Sequence, residues 1–295
     1  MASLTLNNPV IGRDPWTSLA TFAATAAAGY PASNLGTVDF NQVYRSTGTT
    51  AVITATLSRP LPVGLVVIGR HNLTQGATFR LELFADTGLT TLKYDSNADA
   101  GLVGTQDVWP ITVDPTQLDF EDDNCFTCQY RTEELVNDSW DRPIWLGDTR
   151  YLIQGLRLTL TNTRNPAGYI QVGHLAIVRG QQFSRGVAVQ SASGYASNSV
   201  VTQADGGREY GQLKMKPRVF QGTFPSLPRA EAELLKQMKG KHDIVPEQPF
   251  YWHPFPQDPT TWVRNSFMAR NSDLGLHQVA SAVRDSVPVS FRQVM

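Results

Sequence analysis

Cysteine is nearly absent from this 295-residue chain: Cys125 and Cys128, in a single C-x-x-C, are the only two. A four-ligand zinc site needs two further ligands, and the histidines that could supply them (His71, His174, His242, His253 and His277) stand singly. A redox pair is disfavoured by the acidic run Asp119 to Asp123 just before it, because carboxylates raise a thiol's pKa. Two ordinary thiols in a strand or loop are the expectation, ahead of a local disulfide or a metal. Charged residues are also scarce, at 17% against roughly 25% in average soluble proteins. The net charge of −1 gives no whole-chain drive towards nucleic acid or an anionic membrane. No apolar run approaches the ~20 residues that span a bilayer.

Other signals are missing too. Residues 1–15 carry Asn7, Asn8, Arg13 and Asp14 but no basic leader before an apolar core, so no secretory signal is expected. Ala20 to Ala28 reads as a small-residue loop or short helix, and synthesis and folding in the cytoplasm is the expectation. There is no G-x-S-x-G, Walker or H-E-x-x-H motif. No cofactor and no metal is implied.

What the chain does have is Gly, Pro, Thr, Ser and Asn in quantity, with 41% hydrophobic residues. That balance favours short strands and turns over long helices. Thr50 to Leu57 alternates with period two, and Gly64 to Gly69 is the fully apolar run of a central strand. Thr78 to Phe84 puts Phe79, Leu81 and Leu83 on one face, with Arg80 and Glu82 on the other. Tyr151 to Thr161 aligns Leu156, Leu158 and Leu160, and Tyr169 to Val178 closes the set. Arg59-Pro60-Leu61-Pro62, Ala85 to Gly88 and Asn165-Pro166-Ala167-Gly168 read as the turns between them. The fold class is therefore mainly β: an N-terminal antiparallel β-sandwich of the jelly-roll kind over residues 1–180. Texture changes from 181 to 207, where a Ser/Gly/Ala/Asn-rich stretch reads as a linker or, with Tyr195, Val200 and Val201, a hairpin arm.

Residues 208–295 read as a smaller β domain with one helix at 227–239. Ser226 is its expected N-cap and Pro228 lies in its first turn. Leu227, Ala230, Leu234, Leu235 and Met238 form its apolar stripe, and Gly240 is its stop. Ser286 to Val294 is the last strand.

Several residues are candidate sites, each with a plainer alternative. Glu133, Glu134, Asp138 and Asp141 could pair as glycosidase carboxylates, though an acidic turn on a sheet is the commoner meaning. Asp119, Glu121, Asp122 and Asp123 could hold calcium but lack the D-x-D-x-D-G loop, which favours a solvated turn. His71, between Arg70 and Asn72 at a strand end, could bind a sugar or transfer a proton, but the sequence shows no partners for either role, which favours a hydrogen-bonded histidine fixing a loop. Trp140 and Trp145 could stack on sugar rings or contact a partner, against core or interface packing. Phe250, Tyr251, Trp252, Phe255 and Trp262 read as subunit contacts in a Pro-rich aromatic loop. Lys214, Lys216 and Arg218, spaced by two, read as one strand face that meets an acidic neighbouring subunit.

Two patches resemble a known family. Tyr30-Pro31-Ala32-Ser33-Asn34-Leu35, Val43-Tyr44-Arg45-Ser46 and Gly69-Arg70-His71-Asn72-Leu73 together resemble jelly-roll domains in tail proteins of tailed bacteriophages. The stretch from Phe224 to Met295 is similar to the ring-forming, tube-like domain of distal tail and baseplate proteins. It holds Glu231-Ala232-Glu233-Leu234-Leu235, Pro249 to Pro254 and Val289 to Val294. The order of the two parts is the reverse of that family's, which points to an upper-baseplate or tail-tip ring protein. The resemblance implies a non-enzymatic virion protein forming a homo-oligomeric ring. Its partners would be the tail tube, the hub and other baseplate proteins, with no membrane and at most transient passage of DNA. The alternative is a carbohydrate-binding adhesion module of a phage tail or cell surface, and a third reading is a glycan-cleaving tail enzyme.

Overall fold

Period-two alternation becomes strand throughout the computed structural model, which describes residues 8–37, 39, 41–99, 105–138, 141–188, 190–203, 208–212, 214, 216–242, 249–273, 278–279 and 284–294. The strands in the first part are β1 (Val10–Pro15), β2 (Ala20–Ala24), β3 (Tyr44–Arg45), β4 (Thr50–Gly69), β5 (Thr78–Phe84), β6 (Leu92–Asp95), β7 (Gln106–Asp107), β8 (Asp141–Thr161), β9 (Gln171–Val172) and β10 (His174–Gln182). Those that follow are β11 (Ala192–Tyr195), β12 (Val200–Gln203), β13 (Glu209–Gln212), β14 (Arg218–Pro228), β15 (Phe250–His253), β16 (Phe267–Asp273), β17 (Gln278–Val279) and β18 (Arg284–Gln293). The helices are α1 (Ser96–Asp99), α2 (Thr132–Asp138), α3 (Arg229–His242) and α4 (Trp262–Asn265). No helix among the described residues is long and apolar enough to cross a membrane.

The chain forms two compact units, Met1–Gln182 with Tyr251–Ser266, and Phe183–Phe250 with Phe267–Met295. The sequence pattern places all of 208–295 in one domain; the structure returns residues 251–266 to the first unit.

In the first unit every pairing is antiparallel. Residues 251–253 of β15 pair with β1, then β10, β4, β8, β5 and β6 follow, with β2 alongside β4 and β7 on β5. β4 and β8 are long enough to serve both layers of a sandwich. The N-terminal half of β4 pairs with β2, its C-terminal half with β10, and β8 accompanies it throughout. In the first half Ala51, Ile53, Ala55 and Leu57 are buried while Thr50 and Val52 are exposed; from Val63 to Gly69 every residue is buried. The second half is therefore covered on both faces. Phe79, Leu81 and Leu83 of β5, Leu156, Leu158 and Leu160 of β8, and Leu175 and Ile177 of β10 share one core.

Three sequence expectations change here. Arg59-Pro60-Leu61-Pro62 is no turn: β4 runs through it, and the register with β8 shifts between Thr56 and Leu61. Proline lacks the N–H a ladder needs, so the chain bulges and bends without reversing. Ala20 to Ala24 is a strand, with Ala20, Phe22 and Ala24 packed on the core and Thr21 and Ala23 exposed. Glu133 and Glu134 lie in the first turn of α2, where negative charge suits the helix dipole, rather than in a turn on a sheet.

In the second unit the sheet order is β11-β14-β18-β16, with β17 on β18. β18 alternates, burying Val287, Val289 and Phe291. Phe291 meets Phe250 edge to face at 5.0 Å and stacks near Phe220 at 6.3 Å. α3 buries Ala232, Leu235 and Met238, spaced by three. It starts two residues later than expected, because Leu227 and Pro228 stay paired with Asp285 and Arg284 of β18. β12 and β13 form a separate two-stranded hairpin, so part of the expected 181–207 arm is regular β structure.

Candidate binding cleft

The first unit holds an open cleft of about 620 Å³. Its walls come from segments far apart in sequence: Asn41 and Val43, Arg70 to Thr74, Thr132 and Leu135 of α2, Asn165 to Ala167, and Gln171 of β9. The segment after β4 is the central wall. A Cβ on Gly69 would meet Asp141 Oδ1 at 2.8 Å, so a larger residue there would push the Asp141 carboxylate aside. The next residue, Arg70, adopts a left-handed φ of 49°. For a residue with a Cβ this is a sparsely populated, strained conformation of the kind that gathers at functional sites.

Asn72 holds the walls together. Its Nδ2 donates to the Tyr169 carbonyl (3.0 Å) and the Gln171 N–H donates to its Oδ1 (2.7 Å). Asn165 Nδ2 donates to the Asn72 carbonyl (2.9 Å), and the Ala167 N–H donates to Asn165 Oδ1 (3.0 Å). Thr74 Oγ1 donates to Asn162 Oδ1 (3.1 Å). With these carbonyls and N–H groups satisfied, the loops behave as an extension of the sheet. Arg45, 4.0 Å above the Tyr30 ring and 5.0 Å from the Tyr169 ring, donates through Nε to Gln171 Oε1 (2.9 Å). Arg70 Nη1 likewise donates to Asn41 Oδ1 (2.8 Å). The amide nitrogens Gln171 Nε2 and Asn41 Nδ2 donate to no group among the described residues.

His71 behaves as a neutral donor. The Leu73 N–H donates to its Nδ1 (3.3 Å), which leaves the proton on Nε2. That Nε2 is buried and has no partner among the described residues. Burial first, and then the Arg142 charge, lower its pKa to about 3. The expected role of fixing a loop is thus joined by an unused donor. Behind it, at 5.4 Å, lies Trp109. Arg142 is buried, donates through Nε to the Val108 carbonyl (2.7 Å) and sits 4.4 Å above the Trp262 ring. Desolvation lowers its pKa to about 10.

The remaining predicted site residues fall elsewhere. Phe250, Tyr251 and Trp252 are each 0% exposed on β15, so they offer no surface to a neighbouring subunit. Trp262 packs on Arg142 and donates through Nε1 to the Phe255 carbonyl (3.2 Å), so its half-buried ring is engaged within its own unit; Phe255 is half-buried too. Lys214 and Lys216 are exposed and lie outside the described strands. Arg218 is buried at the start of β14, so the three do not share a strand face. Trp140 lies outside the described residues; the backbone of Trp145 pairs with Val66 in β8. Glu134 takes Arg264 (2.9 Å) on Oε1 and the Arg131 N–H (3.1 Å) on Oε2. Glu133 is exposed, Asp138 ends α2, and Asp141 is buried at the head of β8. Asp122 pairs with Arg131 (2.9 Å) and Asp123 caps Thr132. Among the described residues no group of three His, Cys, Asp or Glu is placed to hold a metal, and both cysteines are free.

Sequence reasoning singled out His71, named Arg70 and Asn72 only as its neighbours and within a motif, and missed the cleft. The usable signals were Asn165-Pro166-Ala167-Gly168 and Arg70-His71-Asn72: polar residues at the ends of strands that alternate cleanly.

No protein-family model and no curated protein matches this chain. Similar solved structures include the family 32 carbohydrate-binding module of Clostridium perfringens NanJ, solved with galactose. It is 13% identical over 58% of this chain and 99% of that one, with a TM-score of 0.36. A chitosan-binding module from a Paenibacillus chitosanase/glucanase is 12% identical over 57% of this chain and 100% of its own, with a TM-score of 0.36. A Ruminococcus gnavus GH29 fucosidase in complex with fucose is 10% identical over 57% of this chain but only 27% of the enzyme, with a TM-score of 0.35. Likeness this slight transfers no role; the functional reading rests on the cleft.

Proposed function

We propose that the first unit binds a carbohydrate in the cleft without cleaving it. The observation that carries this reading is the lining. It combines Asn41, Asn72, Asn165, Gln171, Thr74 and Thr132 with a neutral His71, alongside the apolar patches of Leu73, Leu135 and Pro166. No Asp or Glu is among the described lining residues. Sugar hydroxyls both donate and accept, and amides and hydroxyls answer both roles. The C–H faces of a pyranose need apolar contact beside them. A volume of about 620 Å³ falls within the range of small-ligand sites. The walls are tied by their own hydrogen bonds, so ordering them on binding costs little.

The test is titration calorimetry of the full chain against a panel of mono- and oligosaccharides. Gln171→Ala and Asn41→Ala should abolish measurable binding while lowering the thermal midpoint only slightly, since each also removes the acceptor of Arg45 or Arg70. Absence of binding across the panel by the unaltered chain sinks the reading.

A different reading, a subunit of an oligomeric tail-tip assembly in a virion, is favoured by one observation: the β12–β13 hairpin is exposed at every side chain described. Its test is the native mass of the full chain. A strict monomer would count against it.

A further inference from the structure

The loop from Asp119 to Cys128 holds two phenylalanines in water. Phe120 and Phe126 are 81% and 80% exposed, with their rings edge to face at 5.6 Å. The loop has a firm frame. Buried Asn124 donates through Nδ2 to the Gln129 carbonyl (2.7 Å), and the N–H groups of Thr127 and Cys128 donate to its own carbonyl (3.1 and 2.8 Å). The Thr132 N–H donates to Asp123 Oδ2 (2.8 Å), and Asp122 pairs with Arg131. Cys128 takes a left-handed φ of 54°. Strain and hydrogen bonds thus present both rings outward in a set geometry. The Thr112 N–H donates to the Cys128 carbonyl (2.9 Å), which ties the end of the loop to the segment before it. Asp119, Glu121 and Asp123 are exposed acids beside the rings.

The second unit carries the complement. β12–β13 is a two-stranded hairpin whose described side chains are all exposed, and such a hairpin is marginal in water unless something covers it. Tyr210 stands on it, 61% exposed. Arg208 precedes it; Lys214 and Lys216 follow, all three exposed.

We propose that the Phe120–Phe126 loop of one copy of this chain docks on the Tyr210 hairpin of another copy. Ring meets ring, and Asp119, Glu121 and Asp123 meet Arg208, Lys214 and Lys216. The occupant is another copy because both halves of the match, aromatic and ionic, lie in one sequence whose net charge of −1 conceals their separation. The two patches differ, so the contact is head to tail, and its repetition closes a ring or extends a filament. The proposal is independent of the carbohydrate reading.

The test is sedimentation equilibrium of the full chain up to about 0.1 mM, at about 0.05 and about 0.5 M salt. We expect association that weakens with salt. Phe120→Ser with Phe126→Ser, Asp119→Lys with Glu121→Lys, and Lys214→Glu with Lys216→Glu should each weaken it at least about tenfold. Mixing the two charge-reversed variants should restore assembly, which also shows that each still folds. The proposal is overturned by a wild-type chain that stays monomeric throughout. It is equally overturned by assembly that survives the serine and charge variants, or by a mixture that fails to recover it.

Discussion

Two aromatic segments of the chain have opposite fates. Phe250-Tyr251-Trp252 vanishes into a strand, each residue 0% exposed, whereas Phe120 and Phe126 stand almost fully in solvent. In the sequence the former reads as a loop, rich in proline and fit for a partner, and the latter as an acidic turn. The difference lies in what each segment can pair with. Residues 251–253 find β1 across Val10, Ile11 and Gly12. The Phe120 loop spends its backbone hydrogen bonds on its own turns, so its side chains have no sheet to lie against. Aromatic content therefore predicts contact area, and backbone partners decide whether that area faces inward.

The contrast is tested most severely by truncation. Trp252→Ala should destabilise the protein by about 3–5 kcal/mol, as expected when a fully enclosed large ring leaves a cavity. Denaturant unfolding measures this; a change below about 1 kcal/mol would mean that the ring is not enclosed.

Acid should reach the same enclosed region next. His253, beside Trp252, and His174 of β10 are buried, and burial lowers their pKa values to about 3 and about 4; His71 is at about 3. Unfolded histidine titrates near 6.5, so the unfolded state binds more protons between the two values. The stabilisation is complete above about pH 6.5 and is lost as pH falls to about 4 for His174 and to about 3 for His253 and His71. Each histidine contributes a slope of up to about 1.4 kcal/mol per pH unit. Stability should therefore decline steeply from about pH 6 to about pH 4, with the part above about pH 5 lying clear of the carboxylates. A flat profile over that window would show that these rings charge freely in the fold.

Asn72→Ala should have an intermediate effect, about 2–3 kcal/mol, because it strands the Tyr169 carbonyl and the Gln171 N–H. It should also abolish sugar binding, since the walls separate. Retention of binding would place the ligand outside this cleft. Smallest of all, Phe126→Ser should shift stability by no more than about 0.5 kcal/mol while weakening self-association, a split that an enclosed aromatic cannot show.

The strands were legible wherever alternation had a solvent face. Phe79, Leu81 and Leu83 pointed inward as the pattern required, and the apolar run 64–69 proved to be the doubly covered half of β4. The bend at Pro60 was not legible, since proline signals a lost hydrogen bond without saying whether the chain turns or bulges. The helix start was displaced because tertiary pairing with β18 outweighed the capping signal at Ser226. The cleft stayed hidden for a simpler reason. The hydrogen bonds at Asn72 that hold its walls join residues 93 to 99 positions apart, and no local pattern encodes that meeting.

The return of residues 251–266 to the first unit sets an order for synthesis. While the ribosome is still adding residues 183–250, β1 lacks the neighbour it pairs with at 251–253, and Arg142 lacks the Trp262 ring that covers it. The segment up to Gln182 is therefore translated before residues 183–250, yet its sheet is not complete until residues 251–253 have emerged as well.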